Sequence, residues 1–236
     1  IPVVIGETTE ETKNIFIDVA EDMKAPIVFA DQKVIVSDIG MKASYREFGV
    51  AGGSFDSQSL LLDLNGAYQR LNLTTVLVAV ELLKKKFSLV RPVIAEGLRN
   101  VKLNTGLQGR WQKLGVSPDI YCDTAHNEAG VALVMDYVKK SQYENLHIVW
   151  GMVNDKDANR IVPLLPSNAQ FYVSKPSVDR AMPLDKLSSV FEKHGLSYTV
   201  FENINDAVEN AKSNAKPNDL IFIGGSTFVV ADVLKK

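Results

Sequence analysis

From Ser117 onward the chain repeats one rhythm: a short apolar run of β type, a polar loop, then a helical pattern. The runs are Asp119–Cys122, Leu146–Trp150, Gln170–Val173, Tyr198–Phe201 and Leu220–Ile223, with a further helical pattern after the last. Their starts lie about 25 residues apart, the length of a βαβ unit with short loops. Regular alternation of this kind commits the region to an α/β fold with a mainly parallel, doubly wound, Rossmann-like sheet. Residues 1–108 follow a different rhythm, so a domain boundary is expected at Gly109, giving domains 1–108 and 109–236.

The first region opens on the apolar run Ile1–Gly6. Thr8-x-x-Glu11 then has the form of a capping box. Ile15, Phe16, Val19, Ala20 and Met23 follow at helical spacing. Further β-type runs occupy 26–30 and 33–37, and the glycine-rich stretch 38–57 reads as hairpins or irregular loops. A strand at 59–64 leads through Asn65-Gly66 into a helix from about Tyr68 to Lys86. A first residue that is Ile rather than Met, on what reads as a mid-sheet strand, suggests a piece of a longer protein.

Lys plus Arg number 26 against 28 Asp plus Glu, a net charge of −2. Such a balance gives no general attraction to nucleic acid or to an anionic membrane. No apolar run approaches the ~20 residues of a membrane-spanning helix. Cys122 is the single cysteine, so neither an internal disulfide nor a thiolate metal cluster is possible, and a cytoplasmic location is expected. His126, His147 and His194 lack metal-ligand spacing, so no metal-binding residue is expected in this chain.

In a parallel sheet, ligands bind at the carboxyl ends of the strands. The residues that follow the runs there are Asp123-Thr124-Ala125-His126-Asn127, Gly151 through Asp157, Ser174-Lys175-Pro176, Glu202-Asn203 and Gly224-Gly225-Ser226-Thr227. Asp123 is an acceptor for a nucleotide hydroxyl or an amine, and His126 a general base or a carboxylate ligand. The plainer reading is that Asp123 or Asn127 only caps the next helix. Gly224-Gly225-Ser226 allows close approach to backbone and offers a hydroxyl to an anion, or it is a tight turn with a cap. His147 and His194 read as structural. No G-x-x-x-x-G-K-[ST] phosphate loop is present.

Several segments, taken in order, resemble one family. Leu64 through Asn72 is similar to the Leu-x-Gly-x-His-Gln-x-x-Asn segment of folylpolyglutamate and dihydrofolate synthases, members of the Mur ligase superfamily. Gln108-Gly109-Arg110 resembles their Pro-Gly-Arg, and Asp123 through Asn127 their Asp-x-Ala-His-Asn. Gly151 through Asp157 resembles Gly-x-x-x-Asp-Lys-Asp, Arg180-Ala181 their Arg-Ala, and Gly225-Ser226 their late Gly-Ser. Tyr68, Gln108 and Glu128 depart from the usual His, Pro and Pro. The resemblance implies that residues 1–108 are the remainder of a P-loop-type ATPase domain, with the phosphate loop, the Mg2+ ligands and a functional lysine lying upstream. It implies an ATP-dependent ligase that joins L-glutamate to dihydropteroate or a folate through an acyl phosphate, a fragment inactive alone, and a monomer. Asn72, Arg110 and Asp123 would contact ATP. His126 and Ser226 would bind substrate near the incoming glutamate, with His126 and Asp123 as the catalytic pair. Two alternatives remain open: a non-catalytic nucleotide- or amino-acid-binding module, and a Mur-type ligase of cell-wall precursors.

Overall fold

The computed structural model describes residues 1–235. The chain divides into two compact units, Ile1–Leu107 and Gln108–Lys236.

In the first unit, strands β1 (Val3–Ile5) and β2 (Ile27–Phe29) pair in parallel around helix α1 (Lys13–Asp22). Strands β3 (Ile35–Lys42), β4 (Tyr45–Ala51) and β5 (Gln58–Leu62) form an antiparallel meander. Helices α2 (Gln69–Phe87), α3 (Arg91–Arg99) and α4 (Val101–Thr105) follow. On β4 every second residue (Arg46, Phe48, Val50) is buried, the alternation of a sheet with one covered face. Phe48 and Val50 join Leu60, Leu62, Leu73, Leu77 and Ile94 in the core of this unit. Arg46 sits among them because Asp38 accepts two hydrogen bonds from its guanidinium, at 2.9 Å each, and the Asn65 carbonyl a third.

One expectation for the opening residues is corrected. Thr8 does not form a capping box: its hydroxyl and its N–H donate to Asp31, 23 residues away, and α1 begins only at Lys13 behind Thr12. A local motif has lost to a distant carboxylate. The helical spacing of Ile15, Phe16, Val19 and Ala20 is that of α1, on which Ala20 is buried and Ile15, Phe16 and Val19 are exposed, as is Met23 just past its end.

In the second unit, β6 (Gln112–Gly115), β7 (Asp119–Cys122), β8 (Leu146–Trp150), β9 (Gln170–Val173), β10 (Tyr198–Val200) and β11 (Leu220–Gly224) build one sheet in the order β10-β9-β8-β11-β7-β6. All neighbouring pairs are parallel except β6 with β7. Every residue of β8 and β11 is buried, as two-sided coverage of a central parallel strand requires. Helices α5 (Glu128–Lys140), α6 (Ala158–Ile161) and α7 (Leu184–Lys193) lie on one face, where Phe191 of α7 meets Phe171 of β9 edge-on. Helices α8 (Ile204–Asn214) and α9 (Thr227–Leu234) cover the other face, over Cys122, Val149, Tyr172, Ile221 and Ile223. No helix of the described residues is long and apolar enough to cross a membrane.

His147, inside β8, is a core residue. Its Nδ1 lies 3.0 Å from the Tyr172 hydroxyl and its Nε2 3.3 Å from Asp219. Tyr172 accepts from Asn214, and its own proton is then directed to Nδ1, leaving Nε2–H to donate to Asp219. Burial by itself would raise the Asp219 carboxyl. Donors from the Lys216 backbone, Asn145 and His147 outweigh this and hold it below the ordinary value of 3.8. A depressed folded value means that this stabilisation is complete above 3.8 and is lost as pH falls through the lower folded value. Urea midpoints measured across the acid range should therefore drop, and Asp219→Asn should flatten that drop while lowering stability near neutrality. An unchanged acid slope in the variant would remove Asp219 from this role.

Candidate functional site

The sheet order determines where a ligand can enter. The chain leaves β7 and β8 toward the face of α5 and α6, but leaves β11, which lies between them, toward the opposite face and α9. Loops that part to opposite faces open a crevice at the strand carboxyl ends. The loops around it are 123–127, 151–157 and 224–227, together with the segment 108–111 that precedes β6.

Asp123, just past β7, is 2 % exposed. One carboxylate oxygen accepts from the Trp111 N–H at 2.7 Å and the other from the Ala125 N–H at 2.9 Å. Of the plainer reading, that Asp123 or Asn127 caps the next helix, the Asn127 half holds. Asp123 does not cap α5, a task done by Asn127, whose side chain accepts from the Gly130 N–H. It clamps two loop segments together.

Two further bonds hold the same segment. Thr124 N–H donates to the Gly109 carbonyl, and Gly109 N–H donates to the Gln112 side chain. Gly109 has φ +70°, and a Cβ there would lie 2.7 Å from Thr124 Cγ2 and 2.9 Å from Val230 Cγ1, so this turn admits only glycine. Arg110, half-buried, makes one weak bond to the Gly109 carbonyl at 3.3 Å, and no carboxylate of the described residues pairs with it. The four guanidinium N–H groups that remain have no partner among the described residues and are open to an anion.

His126 Nδ1 lies 2.9 Å from the Thr124 carbonyl. A carbonyl only accepts, so Nδ1 carries the proton, and in the neutral ring Nε2 keeps its lone pair. Ser226 is 1 % exposed and caps α9, its Oγ accepting from the Phe228 N–H at 3.2 Å; its own hydroxyl proton has no acceptor among the described residues. Asn72 lies in the other unit, exposed in the first turn of α2, where its side chain donates to Gln69.

The loop after β9, which the sequence places at the ligand edge with Ser174-Lys175-Pro176 and in the family resemblance with Arg180-Ala181, is fastened by the structure to the loop after β8, a link the sequence did not reveal. Asn154 N–H donates to the Arg180 carbonyl and Met182 N–H to the Met152 carbonyl, and Val153 bridges Ala181. The Arg180 guanidinium lies over the Phe228 ring at 4.7 Å. Asp157 caps α6, and Lys156 pairs with Asp155. Beside this loop a cavity of about 560 Å³ opens toward Lys186 and Lys193 of α7. Among the described residues no three His, Cys, Asp or Glu side chains gather to hold a metal ion.

An open, mainly parallel α/β sheet whose central strands lead into helices on opposite faces is the class of protein that this geometry defines. Residues 109–227 match the family described as Mur ligase, glutamate ligase domain, and the chain belongs to that family. It is 30 % identical over 236 residues to a probable bifunctional folylpolyglutamate synthase/dihydropteroate synthase of Haloferax volcanii, covering 98 % of this chain and 27 % of the relative. A dihydrofolate synthase/folylpolyglutamate synthase of Bacillus subtilis is 24 % identical over 240 residues, covering all of this chain and 54 % of the relative. The Mycobacterium tuberculosis folylpolyglutamate synthase complexed with ADP and AMPPCP superposes with a TM-score of 0.82 at 21 % identity, over 98 % of this chain and 54 % of that one. The chain spans about half, or less, of the length of these relatives.

Proposed function

We propose that the protein carrying this chain is an ATP-dependent ligase that forms an amide between L-glutamate and the carboxylate of a dihydropteroate or folate. The observation that carries this reading is the family match over 109–227, which spans the crevice and its unpaired Arg110. The kinship to folylpolyglutamate synthases along nearly the whole chain favours folate chemistry over cell-wall precursors.

In this reaction the acceptor carboxylate attacks the terminal phosphorus of ATP, giving an acyl phosphate and ADP. The glutamate amine then attacks the acyl carbon, and inorganic phosphate leaves. Bound nucleotide supplies the phosphoryl group, with Mg2+ as its counterion. Among the described residues no cluster of His, Cys, Asp or Glu side chains is set to hold that ion. Arg110 fits the nucleotide, since its fork has no carboxylate partner among the described residues and can take two phosphate oxygens. Asp123 holds the backbone beside Arg110 in place. His126 offers the Nε2 lone pair to the attacking amine and can take its proton. Ser226 donates its remaining hydroxyl proton to a carboxylate of glutamate. Asn72, on α2 of the first unit, carries a side-chain amide of the kind that hydrogen-bonds a nucleotide.

Purified full-length protein should release phosphate only when ATP, L-glutamate and either dihydropteroate or a reduced folate are all present, with a glutamylated product by mass spectrometry. Binding of ATP or glutamate without turnover on either acceptor would overturn the ligase reading in favour of a binding module.

A further inference from the structure

We infer that Trp111 is a positioning residue for the reaction proposed above, fixing the backbone from which Arg110 reaches the nucleotide. The inference rests on that proposed role of Arg110. Trp111 has φ +46°, the left-handed region that a bulky side chain rarely occupies. Gly109, on the other side of Arg110, has φ +70°. Arg110 is therefore carried at the apex between two left-handed turns, and each turn is held by contacts made elsewhere in the unit.

At Trp111 the hold is twofold. Its N–H donates to the buried Asp123 carboxylate at 2.7 Å. Its indole, 3 % exposed, is stacked on Tyr121 with centroids 4.8 Å apart, meets Tyr137 of α5 edge-on at 4.4 Å, and lies 6.0 Å from Phe222 of β11. The ring thereby joins β7, α5 and β11, and its burial stabilises a backbone conformation that would otherwise relax. The result is a contrast within three residues: main-chain groups of Gly109 and Trp111 tied down, and between them a guanidinium with no carboxylate partner among the described residues. A rigid mount under a free charged fork is what placing a donor on a phosphoryl group requires, because a displacement of about 1 Å can cost about a hundredfold in rate.

The test is a double-mutant cycle in the full-length protein, following kcat/KM for ATP in glutamate-dependent ligation. Trp111→Ala should lower it by about 10- to 100-fold, and Trp111→Phe, which keeps an aromatic in the box, should restore most of the loss. In an Arg110→Ala background Trp111→Ala should add less than about threefold, because the group it positions is gone. A purely structural role predicts instead that the two losses multiply and that the Trp111 loss tracks the melting temperature. Multiplying losses, or a Trp111→Ala enzyme within about twofold of the parent while Arg110→Ala is crippled, overturn the positioning role alone. An Arg110→Ala enzyme with normal kinetics removes the nucleotide role of Arg110 and this inference with it. Should Trp111→Ala fail to fold, Tyr121→Leu removes the stacking partner without touching residue 111. It should then show the same non-additivity at a smaller amplitude, and multiplying losses there would overturn the role equally.

Discussion

Arg110→Ala in the full-length protein should lower kcat/KM for ligation by about 100- to 1,000-fold, the loss seen when one preorganised donor to a developing charge is removed. The reason lies in how little the arginine does for the fold. Among the described residues its one bond is long, at 3.3 Å, and goes to the neighbouring carbonyl. Truncation therefore leaves no buried carboxylate unpaired and should change the melting temperature little, since surface changes of this kind are usually within about 0.5 kcal/mol. Activity and stability should separate. Arg110→Lys is expected to recover only part of the rate, because a point charge replaces a fork that engages two oxygens. Steady-state kinetics beside thermal melts decide the matter. Near-normal turnover in Arg110→Ala would remove Arg110 from the nucleotide, and an equal fall in both readouts would make it a structural residue.

The parts of this molecule that the amino-acid order reveals are those whose cause is local. Strands β8 and β11 read as continuous apolar runs because both faces are covered, and Asn127 reads as a cap because a cap acts three residues away. His147 reads as structural from its apolar flanks, although Asp219 and Tyr172, which hold it, lie 72 and 25 residues along the chain. The failures are non-local. Strand β6 is a short stretch, Gln-Lys-Leu-Gly, with no strand pattern of its own, and it forms by pairing with β7. Thr8 has the spacing of a capping box, but Asp31 competes for its donors. Asp123 could be seen as an acceptor, yet its partner at Trp111, 12 residues upstream, could not be inferred from any periodicity. Of the candidate site, then, the residue types at the strand ends were legible. The clamp and the aromatic box that mount Arg110 were not, because they exist only once β7, β11 and α5 are brought together.

Gly225→Ala should be the most damaging small substitution in the second unit. The residue has φ +93°, and a Cβ there would lie 2.6 Å from the Gly151 carbonyl oxygen and 2.7 and 2.9 Å from Cε2 and Cδ2 of Trp150. The carbonyl belongs to the loop just past β8 and the indole is 1 % exposed, so neither can retreat without moving the strand end. Left-handed strain and overpacking together are expected to cost about 2–5 kcal/mol, a large share of the total stability of an ordinary domain. Gly195→Ala separates the two causes, since that glycine has φ +65° but nothing within 4 Å of its Cβ position. It bears the backbone strain alone, about 1–2 kcal/mol. Urea unfolding followed by tryptophan fluorescence should place Gly225→Ala well below Gly195→Ala, and equal losses would show that backbone angle, not crowding, requires glycine at 225. The two should differ in function as well. Residue 225 precedes Ser226, whose hydroxyl caps α9 at the crevice. On the proposed role of Ser226 toward glutamate, a Gly225→Ala protein that folds with this cap displaced should show a raised KM for glutamate, while Gly195→Ala should leave it at the parent value.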